Sequence, residues 1–344
     1  MGFIALTFTP GKNFRFANSL IEKLQQLMED KKLVLVCDHV ENLLIEGLED
    51  LGYSVDYRAE ISLDEVFDIA EKLTGIVVNT KTPVRFELMQ KAVNLKWIAR
   101  LGSGLDIIDL DVAKTHGIEV LNSPEGNANA VAEHVLGMLL NLLRNISKAD
   151  REVRSGKWER EANRGRELSA MTIGIIGFGH TGSAFAKILS GFGCRVLAYD
   201  KYKQQYASDF RLVKECNAMK EVLKGSDVIS LHLPLTSETY ELVNADFLSL
   251  CKKGSIIINS SRGKILVIRD LLKSIQLVKI KGACLDVLLN EKINALSKEE
   301  ENDFEELKKN QRVLLSPHIA GWTVESKIKI SEILLEKINS ISEK

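Results

Sequence analysis

Proline is scarce in this chain, with 5 among 344 residues, and no low-complexity stretch or repeat of solenoid period is present. Charge of one sign is missing too. Lys and Arg number 46 against 47 Asp and Glu, and the net charge of −1 gives no reason to expect nucleic acid or an anionic membrane as partner. No apolar run approaches the roughly 18 residues of a membrane span, so no membrane partner is expected. The five cysteines (Cys37, Cys194, Cys216, Cys251 and Cys284) are odd in number and scattered, without CxxC spacing. This argues against a disulfide frame or a zinc site and reads as reduced thiols in a cytoplasmic protein. No cluster has metal-ligand spacing, so no metal is expected. The opening residues have neither a basic region nor a small-residue cleavage site, and a signal peptide is not expected.

What is present is the composition of a globular protein, 45% hydrophobic and 27% charged, at a length that favours two domains. Short apolar runs alternate with helical patterns. Candidate strands are Leu33–Val36, Gly75–Val78, Trp97–Arg100 and Ile118–Leu121, then Thr172–Ile176, Arg195–Tyr199, Asp227–Leu233, Gly254–Asn259, Ile280–Val287 and Arg312–Ser316. Near-continuous apolar strands separated by helices imply parallel sheets covered on both faces, here two doubly wound α/β domains. Residues 1–30 read either as an amphipathic leader helix (Phe16, Leu20, Ile21, Leu24, Leu27) or as an extension outside the fold. The acidic run Ser297–Lys309 reads as a solvated helix or loop. Asn127–Arg144 is apolar around most of its circumference, which points to burial on more than one side in a core or a subunit interface. Thr323–Ile341 has the pattern of an amphipathic helix.

One motif stands on this framework. Gly177, Gly179 and Gly182 form GxGxxG between an apolar strand and a helical pattern, and the strand RVLAYD ends in Asp200, 23 residues after Gly177. In a dinucleotide site the first glycine permits the tight turn, the second lets backbone approach the pyrophosphate, and the third allows close helix–strand packing. Asp200 accepts from a ribose 2′-hydroxyl and repels a 2′-phosphate, which favours NAD over NADP; Lys201 argues mildly the other way.

Arg262, Glu291 and His318 each follow a candidate strand, and ligands of open parallel sheets bind outside the carboxyl ends of strands. Singly each has a bland reading as a surface or loop residue. Together, downstream of a dinucleotide motif, they suit 2-keto acid chemistry: a guanidinium grips a carboxylate bidentately, and a His–Glu pair supplies a proton donor that works near neutrality. His232 reads as a packed strand histidine and His134 as helical packing. His180 reads as a loop position beside the cofactor, while His39 and His116 carry no signal.

The chain resembles the D-isomer-specific 2-hydroxyacid dehydrogenases, the group of phosphoglycerate, glycerate and D-lactate dehydrogenases, over roughly residues 32–340. The resemblance is carried by GSGLDIID (102–109), EGNANAVAEH (125–134), KWER…GREL (157–168), GIIGFGHTG, SLHLPLT (230–236), NSSRG (259–263), LDVLLNE (285–291) and SPHIAGWT (316–323). It implies that His318 is the general acid/base, Glu291 its partner, and Arg262 the group that binds the carboxylate and keto oxygen. Backbone N–H groups around Ser103 and Gly104 would complete the carboxylate site. Asp286 would lie near the nicotinamide carboxamide, with His180, Thr181, Pro234, Thr239 and Ser261 also along the cofactor. The implied architecture is a Rossmann-type NAD-binding domain (122–321) and a flavodoxin-like substrate domain (31–121 plus 322–344), in a homodimer built around the 127–144 helix. A corepressor-like, NAD(H)-sensing member of the same fold is the rival, disfavoured because all three catalytic residues are kept. Three departures stand out: Lys292 replaces the usual proline after the catalytic glutamate, Val267 and Ile268 replace acidic or polar residues, and Asn79 stands where phosphoglycerate-type members carry an arginine. Lys81 and Arg85 are near in sequence, and a substrate with no strict need for a phosphate is expected.

Overall fold

The computed structural model describes residues 32–342, so the alternatives for residues 1–30 fall outside the described residues. The chain divides into two compact units. The smaller holds the described residues up to Leu101, Ile107–Asn122 and the chain from Leu334; the larger holds Gly102–Asp106 and Ser123–Ile333.

In the smaller unit, five parallel strands are β1 (Leu33–Val36), β2 (Ser54–Tyr57), β3 (Leu73–Val78), β4 (Trp97–Arg100) and β5 (Glu119–Asn122), in the order β2-β1-β3-β4-β5. This is the flavodoxin-like order, with its reversal between β1 and β3. Helices α1 (Asn42–Asp50), α2 (Leu63–Ile69), α3 (Phe86–Lys91) and α4 (Leu110–Thr115) connect the strands. Val34, Leu35, Val36, Ile76, Val77, Val78, Ile98 and Ala99 are buried without alternation, as strands covered on both faces must be. Each Val, Leu or Ile side chain among them contributes about 1.5–3 kcal/mol on burial. Trp97 is fully buried, and its indole N–H donates to the Tyr53 hydroxyl at 3.3 Å, so its polar handle stays satisfied.

In the larger unit the strands are β6 (Thr172–Ile176), β7 (Arg195–Tyr199), β8 (Val213–Glu215), β9 (Val228–Leu231), β10 (Ser255–Asn259), β11 (Ile280–Leu285) and β12 (Val313–Leu315), in the order β12-β11-β10-β9-β6-β7-β8. All pairings are parallel, and the order is that of a Rossmann sheet with one further strand, reversing between β6 and β9. Its α-helices are α5 (Pro124–Arg144), α6 (Ile146–Arg154), α7 (His180–Leu189), α8 (Met219–Gly225), α9 (Ala245–Leu250), α10 (Ile268–Gln276) and α11 (Lys298–Lys309), while α12 (Val324–Ser342) begins in this unit and ends in the smaller.

All ten expected strands form, several trimmed by a residue or two, with β3 beginning two residues earlier and β5 shifted by one. Two others, β2 and β8, were not expected; both are short edge strands, half exposed, and lack an apolar run. The acidic run resolves to a helix because Ser297 and Glu300 close a capping box over its first turn, while Leu307 is its one buried residue. Helix α5 buries Val131, Ala132, Val135, Met138, Leu139 and Leu143 within its own unit. All five cysteines are buried, and burial pushes the thiols of Cys37 and Cys251 up to about 12.

Candidate active site

The turn after β6 is made by Gly177 at φ +89°, where a Cβ would overlap the His232 carbonyl oxygen. A Cβ on Gly182 would likewise overlap the Gly177 oxygen, so the helix can approach the strand end only with glycine there. Gly179 differs: nothing lies within 4 Å of its missing Cβ, and it caps α7 without a side-chain bond to the first turn. The N–H groups of His180, Thr181 and Gly182 therefore face an open cradle at a helix N-terminus, the arrangement that suits an anionic pyrophosphate. His180 Nε2 lies 4.0 Å from a Glu125 carboxylate oxygen.

Asp200 closes the other side. Its Oδ2 accepts from Phe178 N at 2.8 Å, and its Oδ1 accepts from Tyr202 N and Lys203 N at 3.0 and 3.1 Å. A carboxylate offers about four acceptor sites, so capacity remains for a ribose hydroxyl. Lys201 is drawn to Glu238 at 2.7 Å and Lys203 to the Phe178 carbonyl at 3.0 Å. The residues present fit a dinucleotide lacking a 2′-phosphate.

The Arg262 turn is assembled by side chains of its own motif. Buried Asn259 accepts from Ser261 N and donates to the Arg262 carbonyl, both at 3.0 Å. The Ser261 hydroxyl donates to Leu231 O at 2.7 Å and accepts from Leu233 N at 3.2 Å, tying the turn to the end of β9. Pro234 and Thr239 belong to the next loop, where the Thr239 hydroxyl donates to the Pro234 carbonyl at 2.6 Å. A Cβ on Gly263 would overlap the Leu288 carbonyl, which explains the glycine that follows the arginine. Arg262 Nε and Nη2 both reach Asp106 Oδ2 at 2.9 Å, and Nη1 donates to Ser261 O at 2.7 Å. Gly104 lies against the same guanidinium, for a Cβ there would overlap Nη2.

His318 follows β12 and Glu291 follows β11. The carboxylate accepts from His318 Nδ1–H at 2.9 Å, which leaves Nε2 without a partner among the described residues. His318 sits at φ +55°, a conformation that histidine tolerates better than most residues but that carries strain, and such strain gathers at functional sites. The position is held from behind. Asp286, 1% exposed, accepts from Ile319 N at 3.0 Å, Ala320 N at 2.8 Å and the Ser316 hydroxyl at 2.6 Å, and its own carbonyl accepts from His318 N at 2.7 Å. Burial acts to raise the Asp286 carboxyl, but the hydrogen bonds from His134, Ser316, Ala320 and Ile319 outweigh it and hold the group below the usual range.

Since the Ser316 proton is directed to Asp286, His134 Nε2–H donates to Ser316 Oγ at 2.9 Å. His134 is thus a member of the polar network behind the His318 loop, where the sequence suggested packing alone. The signal for it was its place in EGNANAVAEH. Asp106 was missed as an individual residue, although GSGLDIID contains it. His232 is buried as a strand histidine, bonded to Ser230 Oγ at 2.9 Å, and burial pushes it down to about 4. No group of three potential metal ligands occurs, and no helix is long and apolar enough to cross a membrane, among the described residues.

Comparison with known proteins adds to this geometry. The family model for the NAD binding domain of the D-isomer specific 2-hydroxyacid dehydrogenases matches residues 136–320, which contain the glycine cradle, Asp200, Arg262, Glu291 and His318. A D-3-phosphoglycerate dehydrogenase of Synechocystis is 34% identical over 308 residues, covering 90% of this chain and 54% of that protein. The chain spans about half the length of such relatives. A hydroxypyruvate reductase of Thermotoga maritima is 33% identical over 92% of this chain and 94% of its own. Among solved structures, a D-lactate dehydrogenase of Aquifex aeolicus, complexed with NAD and lactic acid, superimposes with a TM-score of 0.78 at 30% identity. It covers 91% of this chain and 96% of its own.

Proposed function

The chain belongs to the D-isomer specific 2-hydroxyacid dehydrogenase family, and from that premise we propose that it is an NAD-dependent oxidoreductase interconverting a small D-2-hydroxy acid and its 2-keto acid. One observation carries the reading. A histidine in a strained conformation is paired through Nδ1 to a carboxylate and keeps Nε2 open, in the unit that holds the dinucleotide cradle.

The α7 N-terminus with Gly179, His180, Thr181 and Gly182, together with Asp200, would hold NAD. Pro234, Thr239, Ser261 and Asp286 would flank it. When bound, the reduced cofactor supplies the two electrons and the hydrogen that a 2-keto acid must gain at its carbonyl carbon. The protein's own residues do the rest. Arg262 and the backbone around Ser103 and Gly104 bind the substrate carboxylate. His318 Nε2–H delivers the proton to the carbonyl oxygen, while Glu291 stabilises the charged ring and fixes its tautomer. In the oxidising direction Nε2 takes the hydroxyl proton. Residues 122–321 would form the cofactor domain, and 31–121 with 322–344 the substrate domain.

The substrate has no strict need for a phosphate. Asn79 is neutral, and Lys81 is already paired, its Nζ 3.0 and 3.1 Å from the Glu60 carboxylate oxygens. We also propose a cytoplasmic homodimer. Its support is the exposed apolar set Ile146, Val153 and Trp158, on and just beyond α6 next in sequence to α5, and Trp158 is 78% exposed. The test is NADH and NADPH oxidation at one salt concentration with glyoxylate, hydroxypyruvate, pyruvate, 2-oxoglutarate and phosphohydroxypyruvate. Turnover of at least one with a preference for NADH is expected; no turnover of any, at any pH from 5 to 9, would overturn the reading.

A further inference from the structure

We propose that Asp106 is a positioning residue for substrate recognition, holding Arg262 so that only one edge of its guanidinium is open to a carboxylate; this rests on the reading above. The guanidinium has five N–H donors. Asp106 takes Nε–H and one on Nη2, and the Ser261 carbonyl takes one on Nη1. One N–H on each Nη remains without a partner among the described residues, and the two Nη atoms form the end of the fork. That end matches the two oxygens of a carboxylate, or one carboxylate oxygen and the neighbouring keto oxygen, in parallel hydrogen bonds.

Two effects of Asp106 oppose each other. Its negative charge offsets part of the attraction that Arg262 exerts on an anionic substrate. Against this, an unheld arginine carries rotamer entropy, which binding must remove, and it would also offer its Nε edge in a competing orientation. Arginine stays charged whatever its neighbour, so the charge is only offset, whereas the orientation depends on the pairing. Orientation dominates because a keto carbon displaced by about 1 Å from the reacting geometry loses about 10²-fold in rate. Gly104 supports the same conclusion independently, since any side chain there would displace Nη2 from Asp106. The GSGLD loop is therefore shaped around the guanidinium as well as around the substrate.

The experiment compares wild type, Asp106→Ala and Asp106→Asn by kcat and KM for the best 2-keto acid, NADH Kd by fluorescence, thermal midpoint, and the arginine Nε–H resonances in a two-dimensional nitrogen–proton NMR spectrum. The Arg262 resonance is assigned by its loss in Arg262→Lys. In the wild type it should be shifted downfield and exchange slowly with water. Asp106→Ala should lose that signature and about 10²-fold in kcat/KM, with KM raised and kcat lowered while NADH Kd stays within twofold. Asp106→Asn keeps an acceptor oxygen and should recover most of the loss, which a merely structural defect would not produce. Activity of Asp106→Ala within threefold of wild type, Asp106→Asn as impaired as Asp106→Ala, or a wild-type Nε–H that exchanges like a solvated arginine would each overturn the proposal. A wild type that turns over no 2-keto acid overturns the functional reading instead, and the resonance then decides the Arg262–Asp106 pairing on its own.

Discussion

Both sheets reverse their strand order once, between β1 and β3 in the smaller and between β6 and β9 in the larger, and the loops after those strands are built in opposite ways. After β1 come Cys37, Asp38 and His39. Cys37 and Asp38 are buried, Asp38 accepts from His39 N at 2.8 Å, and the His39 ring reaches Glu60 at 3.0 Å. Polar side chains there bond to the loop backbone or to one another. After β6 come glycines, and what they leave is a turn of bare N–H groups with nothing over Gly179. The same topological rule places a crevice at each reversal. Whether such a crevice is left open to an anion depends on what the loop omits, so a site is set by the loop and not implied by the sheet.

Four experiments break or sharpen that contrast, beginning with the largest expected effect. His318→Ala should cost about 10²–10⁴-fold in kcat, as loss of a general acid does, with NADH Kd within twofold of wild type. A mutant keeping half its activity would remove His318 from the mechanism. The glycine loop comes next. Gly179→Ala meets no protein atom, so its thermal midpoint should match wild type while NADH Kd rises at least about tenfold, an affinity loss of about 1.4 kcal/mol. Gly117→Ala, in the smaller unit at φ +67° with the same open surroundings, should show the reverse: about 1–2 kcal/mol lost in stability from the left-handed backbone and unchanged NADH affinity. If Gly179→Ala binds NADH normally, the cradle is not where the phosphates lie.

The third concerns acid. Burial holds His232 at about 4 in the folded chain, against an ordinary value of about 6.5 when unfolded. The unfolded state therefore binds the extra proton first, and the histidine opposes folding only below its unfolded value. Stability should fall by about 1.4 kcal/mol per pH unit from this group as pH drops from about 6.5 to 4. Urea midpoints for wild type and His232→Gln across that window measure it, and parallel slopes would contradict it. The smallest effect is expected in the smaller unit. Lys81→Ala should change kcat/KM for hydroxypyruvate less than twofold, and the phosphorylated compound should not exceed hydroxypyruvate by a thousandfold. Should it do so, and lose that advantage in Lys81→Ala, the reading of Asn79 and Lys81 is wrong.

The strands that sequence made legible are those buried on both faces, because burial on both faces demands an unbroken apolar run. SVDY of β2 and VKE of β8 carry no such run; they are strands because a neighbour's edge was free, which is a tertiary fact. The catalytic candidates were legible because each follows a strand. Their supports were not. Asp106 and Arg262 are 156 residues apart, and His134 and Ser316 are 182 apart; neither helix periodicity nor local spacing predicts such pairings. Asp106 in isolation is one more acid in a loop, and only the folded chain gives it a partner.

The burial of the thiols has a practical consequence. With every native cysteine enclosed, and with Cys37 and Cys251 at about 12, the described chain holds almost no thiolate at neutral pH. A single cysteine introduced at an exposed position, Val93 in the smaller unit or Tyr202 in the larger, would be far the most reactive sulfur among the described residues. The protein is ready to take one fluorophore or spin label at a chosen place without first deleting its own cysteines.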